Sequence, residues 1–225
     1  MNTDTESHLP DFETRQNAIG ALLLQLRTMG ITDHAILQAF ENTPRDLFVP
    51  LEFSKLAMED RPVQIECGQL QDQPGLLGQC ISALEIGPNH KIFEIGTGSG
   101  YLTAILARLC RRVFSVERHR HLVDLARARL KAFDLQNTVV MTRDGYRGLA
   151  AQEPIDRIIS TASVEKTPDL LLEQLAESGR MVLPLGPVGG FQELTLFTKN
   201  NGTISTKILM KGRFSPMVSG LAPRS

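Results

Sequence analysis

Ile92-Phe93-Glu94-Ile95-Gly96-Thr97-Gly98-Ser99-Gly100-Tyr101 is an apolar, strand-like run that passes into three alternating glycines and then into a helical pattern. A loop of this kind at the carboxyl end of a first strand lets backbone N–H groups approach a ligand closely. The dinucleotide fingerprint needs a small residue at position 101, where Tyr101 stands, and counting from Gly98 puts Thr103 in the third place. A pyrophosphate-bearing dinucleotide is therefore disfavoured. The next apolar run, Val113-Phe114-Ser115-Val116, ends in Glu117. That is about twenty residues beyond Gly96, the spacing at which an acid meets ribose hydroxyls. A carboxylate there accepts hydroxyl hydrogen bonds and repels a 2′-phosphate, which points to an unphosphorylated ribonucleoside. The third strand runs out into Arg143-Asp144-Gly145, placing a short acceptor beside the same edge.

Outward from this segment, short apolar runs alternate with helical ones. Strands are expected at Lys91–Ile95, Arg112–Glu117, Thr138–Thr142, Ile155–Ser160 and 180–184, with helices near 101–109, 121–133 and 168–176. This alternation predicts an α/β fold: a doubly wound, mostly parallel, seven-stranded Rossmann-like sheet. Runs at 192–198 and 203–210 flank Asn201-Gly202, a strong hairpin signal, so an antiparallel pair should close the sheet. Upstream, residues 1–12 are polar and are expected to fray. Ile19, Leu22, Leu23, Leu26 and Met29 then mark one helix, and Asp33 can cap a second carrying Ile36, Leu37 and Phe40. Residues 51–74 lose all period and gather Pro62, Gly68 and Pro74; irregular stretches of that length are often functional. Leu76, Leu77, Cys80, Ile81 and Leu84 resume helical spacing. The chain thus divides into a helical and substrate-loop segment, 1–88, and a cofactor-binding Rossmann-like part, 89–225, forming one compact unit.

The 225 residues are 42% hydrophobic and 22% charged, values of a folded domain, and 24 basic against 25 acidic residues leave no basic field for nucleic-acid phosphates or anionic lipid. Neither nucleic acid nor membrane is expected as a partner. Three widely spaced cysteines without a CxxC pair suit neither a disulfide framework nor a zinc site, and the acidic, polar opening does not read as a secretory signal, so a cytoplasmic setting is expected. His119-Arg120-His121 has no third ligand at metal-like spacing, so no metal is expected. Oligomeric state is not legible.

The glycine loop, Glu117 and Asp144-Gly145 resemble the S-adenosylmethionine site of class I methyltransferases. More narrowly, Thr43-Pro44-Arg45-Asp46-Leu47-Phe48-Val49-Pro50, Glu59-Asp60-Arg61-Pro62, the loop itself, Thr161-Ala162 and the pairs Arg213-Phe214 and Pro216-Met217 resemble, in order, the pattern of protein-L-isoaspartate O-methyltransferases. The resemblance implies methylation of a carboxylate of damaged aspartyl residues in a protein or peptide. It also implies that S-adenosylmethionine is held by Glu94 and by Gly96, Thr97, Gly98, Ser99 and Gly100, whose backbone would contact its methionine portion. Glu117 would lie at the ribose and Asp144 at the adenine, with Arg118 and Gly145 also at the cofactor and Thr161 beside the methyl donor.

In the acceptor segment the family reads Gly-Gln-Thr-Ile-Ser-Gln-Pro, and this chain has Gly68-Gln69-Leu70-Gln71-Asp72-Gln73-Pro74. Leu70, Gln71 and Gln73 fall at substrate-binding places, and Asp72 replaces a hydroxyl with a carboxyl. Three readings follow. Asp72 can act as a catalytic base or counter-ion toward another acceptor, such as a hydroxyl, an amine or an unidentified small molecule. An isoaspartyl enzyme can accommodate Asp72 if it turns away or is protonated. A non-catalytic cofactor-binding protein would keep the loop alone.

Overall fold

The computed structural model describes residues 10–223. Of the polar opening, residues 1–9 lie outside the described residues; Phe12 is already helical, because the Asp11 carboxylate accepts the Thr14 N–H at 2.7 Å and caps the turn. Helix α1 spans Phe12–Thr28 and α2 His34–Glu41, the latter capped by Asp33 on the Ile36 N–H. The stretch expected to be irregular holds short 3₁₀ turns and a two-residue antiparallel pair, β1 (Val63–Gln64) with β2 (Leu70–Gln71). Helix α3, Pro74–Leu84, opens on a proline, whose missing N–H costs nothing in a first turn.

The main sheet contains β3 (Lys91–Ile95), β4 (Arg112–Glu117), β5 (Thr138–Thr142), β6 (Ile155–Ser160), β7 (Leu175–Leu185), β8 (Gln192–Asn200) and β9 (Thr203–Gly212), in the order β5-β4-β3-β6-β7-β8-β9. The first five strands in that order pair in parallel, and β8 and β9 add antiparallel. Asn201 and Gly202 both have positive φ, 50° and 72°, the conformation a two-residue hairpin turn requires. Helix α4 (Tyr101–Ala107) follows β3, α5 (Arg120–Ala132) follows β4, and α6 is confined to Asp169–Glu173. The expected helix to 176 is therefore too long and the expected strand from 180 too short. Leu175 and Ala176 are buried in β7, whose register shifts between Leu175 and Arg180, where Ser178 has positive φ; the run Glu177-Ser178-Gly179 lacks strand-forming residues and hides the strand's first half.

Parallel strands covered on both faces need apolar residues at nearly every position. Ile92, Val113, Ile159 and Val182 face a core shared with α1, α2, α3, α4 and α5, while Phe93, Ile95, Ile158, Met181 and Leu183 face a second core with α6. An aromatic seam joins the N-terminal helices to the sheet: Phe48 lies 5.5 Å from the Tyr101 ring and stacks on Phe133 at 5.2 Å. The sheet order reverses at β3, so a crevice opens between the carboxyl ends of β3 and β6, where ligands of such folds bind.

Candidate active site

The glycine loop leaves β3 at the switch point. Gly96 has φ +94°, and nothing lies within 4 Å of where its Cβ would be, so the backbone there faces open space. Gly100 has φ +89° and a different reason: a Cβ would lie 3.1 Å from the Ala126 Cβ, so its bareness lets α4 pack on α5. The Gly96 N–H donates to the Val116 carbonyl at 2.8 Å, and the Gly98 N–H donates to Glu117 Oε2 at 3.0 Å. Glu117 Oε1 accepts the His119 N–H at 2.9 Å, so the carboxylate is fixed while two lone-pair sites stay available for hydroxyl donors.

The loop borders an open cleft. Ile95, Gly96, Gly98, Val116, Glu117 and Arg118 form one wall, with Arg143 and Gly145 at the far end. Thr161 and Ala162 come from the end of β6, and Gln69, Leu70 and Asp72 from the acceptor segment. Ser215, Pro216, Met217 and Val218 roof it, held by Ser163 N–H to the Ser215 carbonyl and Met217 N–H to the Ser163 carbonyl, both 2.8 Å. A deeper hollow continues inward, where Gln71, Thr97, Ser99 and Tyr101 join Leu70, Asp72 and Thr161.

Of the residues singled out from the sequence, Gly96, Gly98, Glu117, Arg118, Gly145, Leu70, Asp72 and Thr161 line the cleft, and Gln71, Thr97 and Ser99 line the hollow. Four stand apart. Gly100 packs helices. Gln73 precedes α3 without a side-chain capping bond. Glu94 is fully buried beneath α4, where Thr103 Oγ1 donates to Oε2 at 2.5 Å and Oε1 has no partner; burial, only partly offset by hydrogen bonds from Thr103 and Ser115, pushes its carboxyl up to about 7. Asp144 is bound within the chain: Oδ1 accepts the Tyr146 N–H, and Oδ2 accepts the Gly220 N–H at 2.8 Å and the Ser219 hydroxyl. Partial burial raises its pKa, and these donors outweigh that, leaving it below the usual carboxylate value.

The residue that sequence reading passed over is Arg45, quoted within a motif but given no task. Its buried guanidinium donates to the side-chain oxygen of Gln71 at 2.7 Å and to the carbonyls of Glu59, Arg61, Gln71 and Asp72 at 2.8–3.1 Å. Gln71 Nε2 in turn donates to Ser99 Oγ at 2.6 Å, tying the acceptor segment to the glycine loop. Arg129 adds a tie by donating to Glu66 at 2.9 Å and to the Ser99 carbonyl. The roof residues were also unassigned; their only signal was the pairing Pro216-Met217 near the end.

An open backbone at Gly96, a fixed carboxylate with spare acceptor sites at the end of β4, and a cleft that both of them border suit S-adenosylmethionine. Sheet order, loop and site together define a class I S-adenosylmethionine-dependent methyltransferase. The model of one family within that class, protein-L-isoaspartate(D-aspartate) O-methyltransferase, matches residues 17–222. The chain is 46% identical to a protein-L-isoaspartate O-methyltransferase of Dinoroseobacter shibae, covering 90% of this chain and 94% of that one. It is 46% identical to that of Paramagnetospirillum magneticum, over 89% and 94%. A solved protein-L-isoaspartate O-methyltransferase superposes with a TM-score of 0.80 at 26% identity, covering 90% of this chain and 67% of the other. A Plasmodium falciparum structure described as a putative member, in complex with S-adenosyl-L-homocysteine, shares the fold at TM-score 0.75 and 24% identity, over 88% and 97%. The chain belongs to the protein-L-isoaspartate (D-aspartate) O-methyltransferase family.

Proposed function

We propose that this chain methylates the free carboxylate of an isoaspartyl residue in a protein or peptide, using S-adenosylmethionine. The observation that carries the reading is the convergence of the glycine loop and the acceptor segment on one cleft, with Thr161 between them. When bound, S-adenosylmethionine supplies an electrophilic methyl group on a sulfonium. The chain's own residues supply position. Gly96 and Gly98 offer backbone at close approach, and Glu117 holds the ribose. Leu70, Gln71 and Thr161 bound the acceptor, and the 215–218 roof excludes water. A carboxylate acceptor is ionised at neutral pH and needs no base, so alignment and desolvation account for the catalysis. Cys80 and Cys110, buried and unpaired, suit a reducing cytoplasmic setting, and among the described residues no helix is long and apolar enough to cross a membrane.

The test is transfer of labelled methyl to an isoaspartyl peptide beside its ordinary aspartyl counterpart, with S-adenosylhomocysteine binding followed by calorimetry. The expected outcome is methylation of the isoaspartyl peptide alone and micromolar-range binding of the homocysteine product. Tighter binding of NAD would overturn the cofactor, and equal methylation of both peptides would overturn the acceptor.

A further inference from the structure

Asp72 lines both the cleft and the hollow behind it, facing Thr161 at the end of β6, so it is not turned away from the site. It also lacks a counter-ion: among the described residues no lysine or arginine forms an ion pair with it. The adjacent cation is Arg45, whose donors go to the Gln71 side chain and to four backbone carbonyls, that of Asp72 included, and not to the Asp72 carboxyl. The other ionisable groups around it are Cys80 on α3, Tyr101 on α4 and, across the cleft, Glu117, Arg118 and Arg143. Burial keeps the Cys80 thiol and the Tyr101 phenol protonated, so neither alters the charge of the hollow. The Tyr101 hydroxyl there is buried and without a hydrogen-bond partner.

We propose that Asp72 stands in the cleft as a neutral carboxylic acid that donates a hydrogen bond to one oxygen of the acceptor carboxylate, leaving the other oxygen to attack. This makes Asp72 a specificity-determining residue, and it rests on the isoaspartyl reading above. An ionised Asp72 about 4 Å from the acceptor would cost roughly a thousandfold in affinity at an effective dielectric of 20. A protonated one turns the same side chain into a donor. Withdrawal from water raises the pKa of Asp72, and the hydrogen bond from Thr161 and the charge on Arg45 reduce that rise. In the transfer one O–C bond forms and one S–C bond breaks; the acceptor's negative charge and the sulfonium's positive charge cancel, and the proton stays on Asp72. The ester oxygen is a poorer hydrogen-bond acceptor than the carboxylate, so the same contact loosens on the product.

The experiment is kcat/KM for an isoaspartyl peptide between pH 6 and 10 for the unmodified enzyme, Asp72→Asn and Asp72→Ala, with melting and S-adenosylhomocysteine binding verifying that each variant is folded and loaded. The unmodified enzyme should lose activity with rising pH, approaching tenfold per unit once Asp72 ionises. Asp72→Asn, a permanent neutral donor, should lose that fall and exceed the unmodified enzyme at least tenfold at the alkaline end. Asp72→Ala should be flat and at least tenfold below Asp72→Asn. Profiles identical in all three, or activity that rises with pH and vanishes in Asp72→Asn, overturn the proposal. No peptide methylation in any of them, with the homocysteine bound, overturns the isoaspartyl reading itself and this inference with it.

Discussion

The two sides of the cleft are held by different means. The glycine loop hangs between β3 and α4, and its amides are met by neighbouring backbone and by Glu117, itself at a strand end. The stretch 59–74, which ends in the acceptor segment, has only two residues of ladder on each strand. The carbonyls of Glu59, Arg61, Gln71 and Asp72 converge on the guanidinium of Arg45. Regular structure satisfies its own polar groups through repetition, whereas irregular backbone at a buried site needs an outside donor for each carbonyl. One wall is therefore spread over many small contributions, and the other leans chiefly on one side chain that lies 14 to 27 residues earlier in the chain than the carbonyls it binds.

The sharpest way to break this contrast is Arg45→Ala. It strands several buried acceptors at once and should cost about 3–5 kcal/mol of stability, as removal of one member of a buried charged network does. Urea denaturation measures the loss. Hydrogen exchange should show it concentrated at 59–74, with the 91–117 region still protected; equal loss in both regions would show that the two walls are one cooperative unit.

Glu94→Gln probes the opposite wall from beneath. The folded-state pKa of Glu94, about 7, exceeds its ordinary 4.5, so the native state holds a proton that the unfolded chain releases. The stabilisation is fully present below about 4.5 and is lost as pH rises through about 7. Glutamine carries no charge and can still accept from Thr103. The variant should therefore gain on the parent as pH rises, by about 3 kcal/mol above neutrality, and melting curves from pH 4 to 8 would show it. A constant difference across that range would mean that Glu94 does not titrate in the fold.

Glu117→Ala should have the smallest effect, a weakening of S-adenosylhomocysteine binding by about 1.5–3 kcal/mol through lost charged hydrogen bonds. Stability should change little, since Gly98 borders the open cleft, where water can replace the carboxylate on its N–H. Unchanged affinity by calorimetry would remove Glu117 from the ribose position and leave the loop backbone as the main cofactor contact.

Local sequence determined the parts whose chemistry is local. Strands β3 to β6 were legible to the residue because both their faces are apolar, and the hairpin because Asn-Gly favours the required left-handed turn. The spacing from Gly96 to Glu117 is set by one strand–helix–strand unit, so a site read from it survives folding with its geometry intact. Tertiary structure alone decided the rest. It brought Arg45 under the acceptor segment, bound Asp144 to Ser219 and Gly220 at the far end of the chain, and laid residues 215–218 over the cleft. It also placed Glu94 behind the loop and not in it. Each of these depends on where a side chain's unmet hydrogen-bonding groups meet a partner distant in sequence, and neither composition nor periodicity carries that information.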